Sequence, residues 1–342
     1  MQGKLGISYE DITNILQAVY ETVIIILCYN YYIHRSLRAI QLAEKEITIQ
    51  APWGKLRGLT WGTEGAPPVF LCPGRMDSCS GFRPLLQLLP RCFYYVAVDL
   101  PGNGGSDHLP RGVQLNAMDY VPTVKVVKEH FKWDKFMYVG HSLGAMLGKY
   151  FNIAYPGHIT RMVELDPIPA HECCSQDVQG VRQWYHLHYH SYYEQYGKLN
   201  GGGEAPKYTY EKALEMLMKA RGLHKEAAEH VIERVLSPAG DGLFRFTHDQ
   251  RQKSFTRMPF SGDAYRAIYT ATTTPTFGVL AQNTIDAGGY DQTPFVKDPA
   301  CWPNGNYSVK IVEGGHDVHI SHPERMADDV SQFLLKDVKA KL

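Results

Sequence analysis

Apolar residues recur along the chain in two alternating patterns. One pattern is a short, continuous apolar run interrupted by Gly, Pro or Asp, which is typical of a buried strand; these runs are 67–72, 93–100, 135–140 and 159–166. The other pattern repeats apolar residues every three or four positions and predicts helices at 82–89, 115–131 and 143–155. Strands that alternate with helices form βαβ units, so the sequence predicts an α/β fold with a mostly parallel central sheet flanked by helices.

The pattern changes on both sides of this region. "EITIQ" (46–50) and "KLRGLTWG" (55–62) flank a Pro- and Gly-containing turn and predict an antiparallel hairpin. Between 167 and 274 the spacing is helical and no strand alternation is evident, whereas strand-like runs return at 274–282 and 307–314 and a helix beginning at Pro323 follows. The predicted units are an N-terminal extension (1–45), an α/β core (46–166 and 275–338) and a helical cap (167–274) that supplies an apolar pocket.

Charge and cysteine content narrow the classes of function. The chain of 342 residues holds 35 Lys plus Arg and 35 Asp plus Glu. This balance gives no electrostatic footprint for nucleic acid, so we predict no nucleic-acid partner. The seven cysteines are scattered and include no C-x-x-C pair, which favours reduced thiols in an intracellular compartment.

The two ends of the chain carry competing signals for location. Residues 12–33 are rich in apolar side chains, but Glu21 interrupts them, and the uncharged run 22–33 is shorter than the ~20 residues that a spanning helix needs. Three interpretations remain open for this segment: a poor membrane anchor, an amphipathic helix that lies on a membrane or on the domain, or an extension outside the core fold. The last residues, Ala340-Lys341-Leu342, resemble the S-K-L type of peroxisomal signal and are a candidate ligand of the import receptor. The expected location is intracellular, either peroxisomal or cytoplasmic.

"GHSLG" (140–144) lies between a predicted strand and a predicted helix. G-x-S-x-G in this context is the nucleophile elbow, a strained turn that exposes a serine oxygen at the end of a strand. Gly140 and Gly144 flank Ser142 because a Cβ at either position would strike the turn or the neighbouring backbone. A chance match in a structural turn is the alternative, but the strand and helix on either side favour Ser142 as a nucleophile.

A nucleophilic serine needs a base, and "EGGHDVHISHPERM" (313–326) offers three histidines. His316 is the first residue beyond Gly314 and Gly315, where the predicted strand 307–314 ends, at the sheet edge where open α/β sheets place their chemistry. We therefore predict His316 as the base, with His319 as the alternative. His322 stands just before Pro323 and is expected to lie exposed near the start of a helix.

The acid that orients the base is less clearly marked. Asp286 lies a few residues beyond the strand-like run 274–282 and is the preferred candidate, whereas Asp291 lies farther along the same loop. Asp166 ends an earlier strand and remains an alternative, although a carboxylate before Pro167 also suits a turn. The backbone N–H groups of Leu143 and Arg75 are the expected donors of an oxyanion hole.

Two other clusters have residue types that occur in binding sites. His186, His188 and His190 alternate in "WYHLHYH" (184–190) and would share one face of a strand, but no carboxylate or cysteine stands at a convincing ligand spacing. "PGNGGS" (101–106) lacks the G-x-G-x-x-G spacing into a helix that a dinucleotide site requires. We predict no metal and no cofactor.

Together these motifs resemble the α/β-hydrolase superfamily and, within it, the serine hydrolase-like (kraken-like) group. The resemblance spans roughly residues 47–337 and rests on "APWGKLRGLTWG", "FYYVAVDLPGNGGSD", "MYVGHSLGAM", "VEGGHDVHISHPERMADDVSQFL" and "HDQRQ" (248–252). The chain departs from its relatives at Pro73, where they usually have His, and at Asn103, where they have His in D-x-x-G-H-G. The first change leaves backbone donors in place; the second alters a loop near the mouth of the site.

The resemblance implies an α/β-hydrolase fold with an inserted cap and a hydrolase activity. Members that cleave carbon–halogen bonds or epoxides use Asp as the nucleophile, so Ser142 favours an ester, thioester or related acyl bond in a small or acyl-chain substrate. We expect an acyl-enzyme on Ser142 and a carboxylesterase- or lipase-like type. The alternative is a catalytically silent binding protein or receptor on the same fold, which would have no need of the full set Ser142, Asp286 and His316.

Overall fold

The computed structural model of the chain describes residues 43–170, 173–201 and 205–336. An eight-stranded sheet with the order β1-β2-β4-β3-β5-β6-β9-β10 forms its centre. The strands of this sheet are β1 (Glu44–Ala51), β2 (Gly54–Trp61), β3 (Pro68–Cys72), β4 (Tyr94–Val98), β5 (Phe136–His141), β6 (Ile159–Leu165), β9 (Thr276–Ala281) and β10 (Tyr307–Val312). A separate hairpin pairs β7 (Leu236–Pro238) with β8 (Phe244–Phe246).

The sheet is mostly parallel, as predicted. β1 and β2 form the predicted antiparallel hairpin and β2 pairs with β4 antiparallel, whereas the remaining pairs of neighbours are parallel. The chain places β4 on one side of β3 and β5 on the other, so the strand order reverses at β3. Ligands of open α/β sheets bind at the carboxyl ends of the strands beside such a switch point.

The register brings the carboxyl ends of the parallel strands to one level. Cys72 of β3 pairs with Gly140 of β5, and His141 pairs with Leu165 of β6. The loops that follow these strands therefore begin next to one another, which places residues distant in sequence around a single site.

Helices cover both faces of the sheet, and a hydrophobic cluster lies on each face. In chain order they are α1 (Arg83–Leu86), α2 (Val121–His130), α3 (Leu143–Ala154), α4 (Val178–Tyr185), α5 (Ser191–Glu194), α6 (Tyr196–Leu199), α7 (Tyr210–Arg221), α8 (Lys225–Val235), α9 (Gly262–Thr270), α10 (Gln282–Asp286), α11 (Val318–Ser321) and α12 (Ala327–Leu335). The predicted helix at Pro323 begins later, because 323–325 form a 3₁₀ turn before α12.

The segment 167–274 is mainly helical and contains α4 to α9. α7 and α8 bury a third hydrophobic cluster between them, and Ile320 of the core packs into it. The prediction that this segment has no strands is wrong, because the β7–β8 hairpin lies within it. Strands of three residues are too short to show an alternating pattern. The histidines at 186–190 lie on a helical turn rather than a strand, so they do not project from one face as alternate strand residues would.

The two candidate location signals, 12–33 and 340–342, lie outside the described residues and stay predictions. Within 43–170, 173–201 and 205–336, no helix combines the length and apolar character that crossing a bilayer requires.

Candidate active site

Ser142 occupies the turn between β5 and α3 in a strained backbone conformation. Its φ of 51° and ψ of −115° lie outside the regions that L-residues favour, which costs on the order of 1–3 kcal/mol. The Ser142 N–H donates to Leu165 O at 3.0 Å, so the adjacent strand β6 holds the turn in place. The prediction of a strand, a tight turn and a helix around Ser142 is confirmed.

Close backbone contacts explain the two glycines of the motif. A Cβ on Gly144 would lie 2.1 Å from the carbonyl oxygen of Cys72, and one on Gly140 would lie 2.5 Å from the amide nitrogen of Ala145. Backbone atoms cannot move aside as a flexible side chain can, so the elbow tolerates no side chain at either position.

His316 and Asp166 form a hydrogen-bonded pair beside the elbow. His316 Nδ1 lies 2.6 Å from Asp166 Oδ2, and the Asp166 side chain is almost completely buried. Asp166 also accepts hydrogen bonds from Ala281 N at 2.7 Å, Thr284 Oγ1 at 2.6 Å and Tyr290 OH at 2.5 Å. An ionised carboxylate only accepts hydrogen bonds, so Nδ1 carries a proton and Nε2 is left to act as the acceptor in the neutral imidazole.

The pair shifts the pKa values of its members in opposite directions. Burial alone would lower the pKa of His316, but the hydrogen bond to Asp166 and the charge of that carboxylate outweigh burial and raise it above its usual value. Burial would raise the pKa of Asp166, but the His316 hydrogen bond and charge, together with the Ala281 N–H, lower it overall. Asp166 therefore stays ionised while His316 changes protonation, as a base and its orienting acid must.

The preference for Asp286 as the acid is wrong in this structure. Asp286 is the last residue of α10, is exposed, and accepts a hydrogen bond from Gln282 Nε2 at 2.8 Å on its own helix. Asp291 is exposed as well. The loop after β10 instead carries His316 across the end of β9 to Asp166, the alternative that the sequence left open.

The other two histidines have different surroundings. His319 is buried, and its ring lies 4.1 Å from the His141 ring; burial is the main cause that lowers the pKa of His319 to about 3. A histidine so placed stays neutral and packs behind the site. The His322 side chain is 41% exposed beside Glu324, in line with the expectation of an exposed position.

The loop after β3 reaches Ser142 from the other side. A Cβ on Gly74 would lie 3.3 Å from Ser142 Cβ, so this loop passes close to the elbow. Gln252 of "HDQRQ" holds the loop: its Oε1 accepts from Met76 N at 3.1 Å and its carbonyl accepts from Arg75 Nη1 at 3.0 Å. The "HDQRQ" motif therefore links the inserted segment to the predicted oxyanion loop. Leu143, which carries the other predicted donor, directly follows Ser142 and begins α3.

"PGNGGS" also has a structural role. Asp249 of "HDQRQ" donates its N–H to Gly102 O at 2.7 Å, and Gln252 Nε2 donates to the same carbonyl at 3.4 Å. Asp249 in turn pairs with the buried Arg251. The glycine loop therefore packs against this motif.

A buried cluster of charged side chains lies behind the elbow, and no sequence pattern indicated it. Arg221, at the end of α7, donates to Asp77 Oδ1 at 2.7 Å and to Asp317 Oδ2 at 2.9 Å. Asp77 belongs to the loop after β3, and Asp317 follows His316. His141 Nε2 donates to the His316 carbonyl at 3.0 Å. One arginine of the inserted segment thus fixes the two loops that approach Ser142.

This cluster also contains a set of side chains with the chemistry of metal ligands, namely Asp77, His141, Asp317 and His319. Arg221 already binds both carboxylates, however. Burial would raise the pKa of Asp317, but the charge and hydrogen bond of Arg221, together with His141 and His319, lower it overall. The Arg221 guanidinium therefore takes the place that a metal ion would occupy between the two carboxylates. The four side chains do not fit a divalent ion in addition to it.

Replacing Arg221 with Met is expected to lower the free energy of unfolding by about 3–5 kcal/mol, because it leaves two buried carboxylates without a cation. Urea denaturation measures this change. The triple variant Arg221→Met, Asp77→Asn, Asp317→Asn removes all three charges and should recover most of the loss. A single variant as stable as the wild type would show that Arg221 is not the compensating charge.

A cavity of about 1000 Å³ opens above Ser142 and His316. Residues of the inserted segment form much of its wall, including Trp184, Leu187, Met216 and Leu217. The wall is therefore partly apolar, as expected for an acyl chain. The wall also contains charged groups that no sequence pattern indicated, among them Arg75 and Arg257.

Comparisons with known proteins agree with this geometry. Residues 67–323 match the family model described as the alpha/beta hydrolase fold. The serine hydrolase-like protein of Danio rerio is 28% identical over 309 residues, which cover 88% of this chain and 91% of the relative. Serine hydrolase-like protein 2 of Homo sapiens is 25% identical and covers 84% of this chain and 93% of the relative.

Solved structures support the fold alone at this level of identity. A hypothetical protein of Pseudomonas aeruginosa PAO1 is 23% identical with a TM-score of 0.72, covering 85% of this chain and 98% of that one. The thioesterase domain of the curacin biosynthetic pathway is 20% identical with a TM-score of 0.67, covering 84% of this chain and 99% of that one. With its elbow serine and eight-stranded sheet, the chain belongs to the α/β-hydrolase fold family and resembles the serine hydrolase-like group within it.

Proposed function

We propose that the protein is a serine hydrolase that cleaves an ester, thioester or related acyl bond of a small or acyl-chain substrate. The observation that carries the proposal is the 2.6 Å bond between His316 Nδ1 and Asp166 at the edge of the cavity that Ser142 also lines. This bond leaves the neutral His316 imidazole with an acceptor nitrogen in the same cavity as a serine that lies in an elbow.

The proposed reaction proceeds through an acyl-enzyme. His316 Nε2 accepts the proton of Ser142 Oγ while the oxygen attacks the substrate carbonyl, and Asp166 stabilises the imidazolium that forms. The N–H groups of Leu143 and Arg75 stabilise the oxyanion. The tetrahedral intermediate collapses as His316 returns the proton to the leaving group. Water, activated by the same histidine, then hydrolyses the acyl-enzyme and regenerates Ser142.

Three features support an acyl substrate of moderate size. Ser142 supplies an oxygen nucleophile, which suits acyl transfer. The cavity of about 1000 Å³ lies at the upper end of the range for small-ligand sites. The relatives are named serine hydrolase-like, and a thioesterase domain shares the fold. A carboxylesterase-like type and a role of 167–274 as a cap over the substrate are parts of this proposal.

A fluorophosphonate probe tests the proposal, because it phosphonylates serines activated by a base. The wild type should gain the mass of one probe on the peptide that carries Ser142, and Ser142→Ala should gain none. Ser191, which lines the same cavity but lies outside the elbow, provides the matched control as Ser191→Ala and should still be labelled. A wild type that resists the probe would favour the silent binding protein instead.

The tail Ala340-Lys341-Leu342 supports a peroxisomal location for this activity, since a small residue, a basic residue and leucine form the pattern that the import receptor binds. Fluorescence microscopy of an N-terminally tagged protein should show peroxisomal puncta that disappear when Leu342 is deleted. A distribution that is the same with and without Leu342 would refute the peroxisomal assignment.

A further inference from the structure

The cavity wall carries more positively than negatively charged side chains. Four cationic side chains line it, those of Arg75, Arg221, Lys253 and Arg257, against two carboxylates, Asp77 and Asp317. Arg221 binds both carboxylates. Within 43–170, 173–201 and 205–336, no carboxylate forms an ion pair with any of the other three cations. The open space beside Ser142 is therefore lined by positive charge without a protein counter-ion.

Arg257 is the most informative of these cations. Its Nη1 is buried and has no hydrogen-bond partner among the described residues, although the side chain reaches the cavity wall. A buried charged donor without a partner costs free energy, and native structures keep few such groups. A group that binds from the cavity would satisfy it.

The protein around Arg257 does not neutralise it. Burial lowers the pKa of this guanidinium, and the groups that act on its charge are Tyr269, Tyr265, Arg75 and Tyr150. Burial in turn raises the pKa of Tyr150 to about 12 and that of Tyr269 well above its usual value. These phenols stay protonated at neutral pH and carry no compensating negative charge.

Arg75 places a second guanidinium next to the reacting serine. It follows Gly74, whose Cβ position lies 3.3 Å from Ser142 Cβ, and its Nη1 donates to the carbonyl of Gln252 at 3.0 Å. The side chain is exposed to the cavity, yet desolvation by the surrounding protein lowers its pKa without any carboxylate to offset it. Two guanidinium groups therefore face the same space, and the charge of Arg75 acts on that of Arg257.

We propose that Arg257, assisted by Arg75, binds an anionic group of the substrate, a carboxylate or a phosphate, and so makes the enzyme selective for acyl compounds that carry a negative charge away from the scissile bond. The planar fork of a guanidinium matches the oxygens of both anions. The positive wall also attracts an anionic substrate to the cavity. This proposal rests on the proposed hydrolase function and specifies its substrate class.

Two pairs of esters test the proposal by rate. The acyl pair is mono-p-nitrophenyl adipate and its neutral methyl ester; the leaving-group pair is 4-acetoxybenzoate and its methyl ester. Each kcat/KM is divided by the rate constant for hydroxide-catalysed hydrolysis, which removes intrinsic reactivity. The wild type should favour the anionic member of at least one pair by about 10- to 100-fold, the scale of a hydrogen bond to a charged group, and Arg257→Gln should abolish that preference.

The matched control is Arg266→Gln, since Arg266 is an exposed arginine paired with Asp263 on α9 and is absent from the cavity wall; it should leave both ratios unchanged. Thermal unfolding verifies that each variant is folded. If Arg257→Gln does not fold, Arg75→Gln replaces it in the same comparison of rates. A wild type without a preference in either pair, or an Arg257→Gln ratio equal to that of the wild type, would overturn the proposal.

A binding measurement separates failure of this proposal from failure of the hydrolase function. Calorimetry on Ser142→Ala, which cannot turn substrate over, compares monomethyl adipate with dimethyl adipate, and butyl phosphate with butan-1-ol. At least one anion should bind 10-fold or more tightly than its neutral partner and lose this advantage in Ser142→Ala, Arg257→Gln; the arm that responds identifies carboxylate or phosphate. Equal binding within both pairs refutes the anion site even where hydrolysis is observed, and selective binding without any hydrolysis refutes only the hydrolase.

Discussion

Replacing Ser142 with Ala is expected to lower kcat for p-nitrophenyl acetate about a million-fold, because triad residues act as one unit and no other group can form the acyl-enzyme. The fold should not change, since the serine oxygen stands clear of the strand and the backbone holds the turn through the Ser142 N–H bond to Leu165 at 3.0 Å. The measurement is the steady-state rate with the variant checked for a wild-type unfolding temperature.

The double variant Ser142→Ala, His316→Ala provides the sharper comparison. Its rate should be scarcely lower than that of either single variant, since removal of any member disables the same step. The remaining rate reflects binding and the oxyanion donors alone. Multiplicative losses would mean that Ser142 and His316 act independently, and a Ser142→Ala variant that retains turnover would place the nucleophile elsewhere.

The elbow was predictable from sequence because all of its requirements are local. Strand, turn and helix are adjacent in the chain, and the contacts that exclude a side chain at Gly140 and Gly144 involve the elbow and the end of β3. His316 was predictable for a similar reason. It directly follows Gly314 and Gly315 in the turn after β10, and Gly314 has a φ of 132° that favours glycine at this turn.

The carboxylate that pairs with His316 was not predictable in this way, because its position depends on the order of strands in the sheet. The sequence favours Asp286 because it follows β9, the strand that precedes β10 in the chain. The structure places β6 next to β9, and Asp166 is the first residue beyond β6. Asp166 has a φ of 43°, an unusual conformation for a residue that merely precedes a proline, but no sequence pattern shows it.

The charge cluster behind the elbow was missed for a related reason. Arg221 looks like an ordinary basic residue in the last turn of a helix, where it suits the helix dipole. Its two carboxylate partners come from the loops after β3 and β10, and only the tertiary fold assembles the three. The motif "HDQRQ" did give a signal through the family resemblance, and the structure supplies its physical reason in the contacts of Gln252 with the oxyanion loop.

Replacing Asp166 with Asn is expected to lower kcat by about 10⁴-fold, the scale of losing the carboxylate that orients a triad histidine. The amide keeps the size of the side chain but replaces one of the two accepting oxygens with an NH2 group. It cannot accept both from His316 Nδ1–H and Thr284 at one end and from Ala281 N–H and Tyr290 OH at the other, so the imidazole loses its fixed tautomer. Steady-state rates at saturating p-nitrophenyl acetate measure the loss. Asp286→Asn is the matched control and should remain within about twofold of the wild type, since Asp286 is exposed and bonded to Gln282.

The pH profile separates this role from a loss of stability. In the wild type, Asp166 raises the pKa of His316 above its usual value, so kcat/KM should fall as the pH drops through that pKa and the base becomes protonated. In Asp166→Asn the raising influence is gone and burial, which lowers the pKa, remains, so the acidic limb of the residual activity should move to lower pH. An unshifted limb, or an inactive Asp286→Asn beside an active Asp166→Asn, would return the orienting role to the loop after β9.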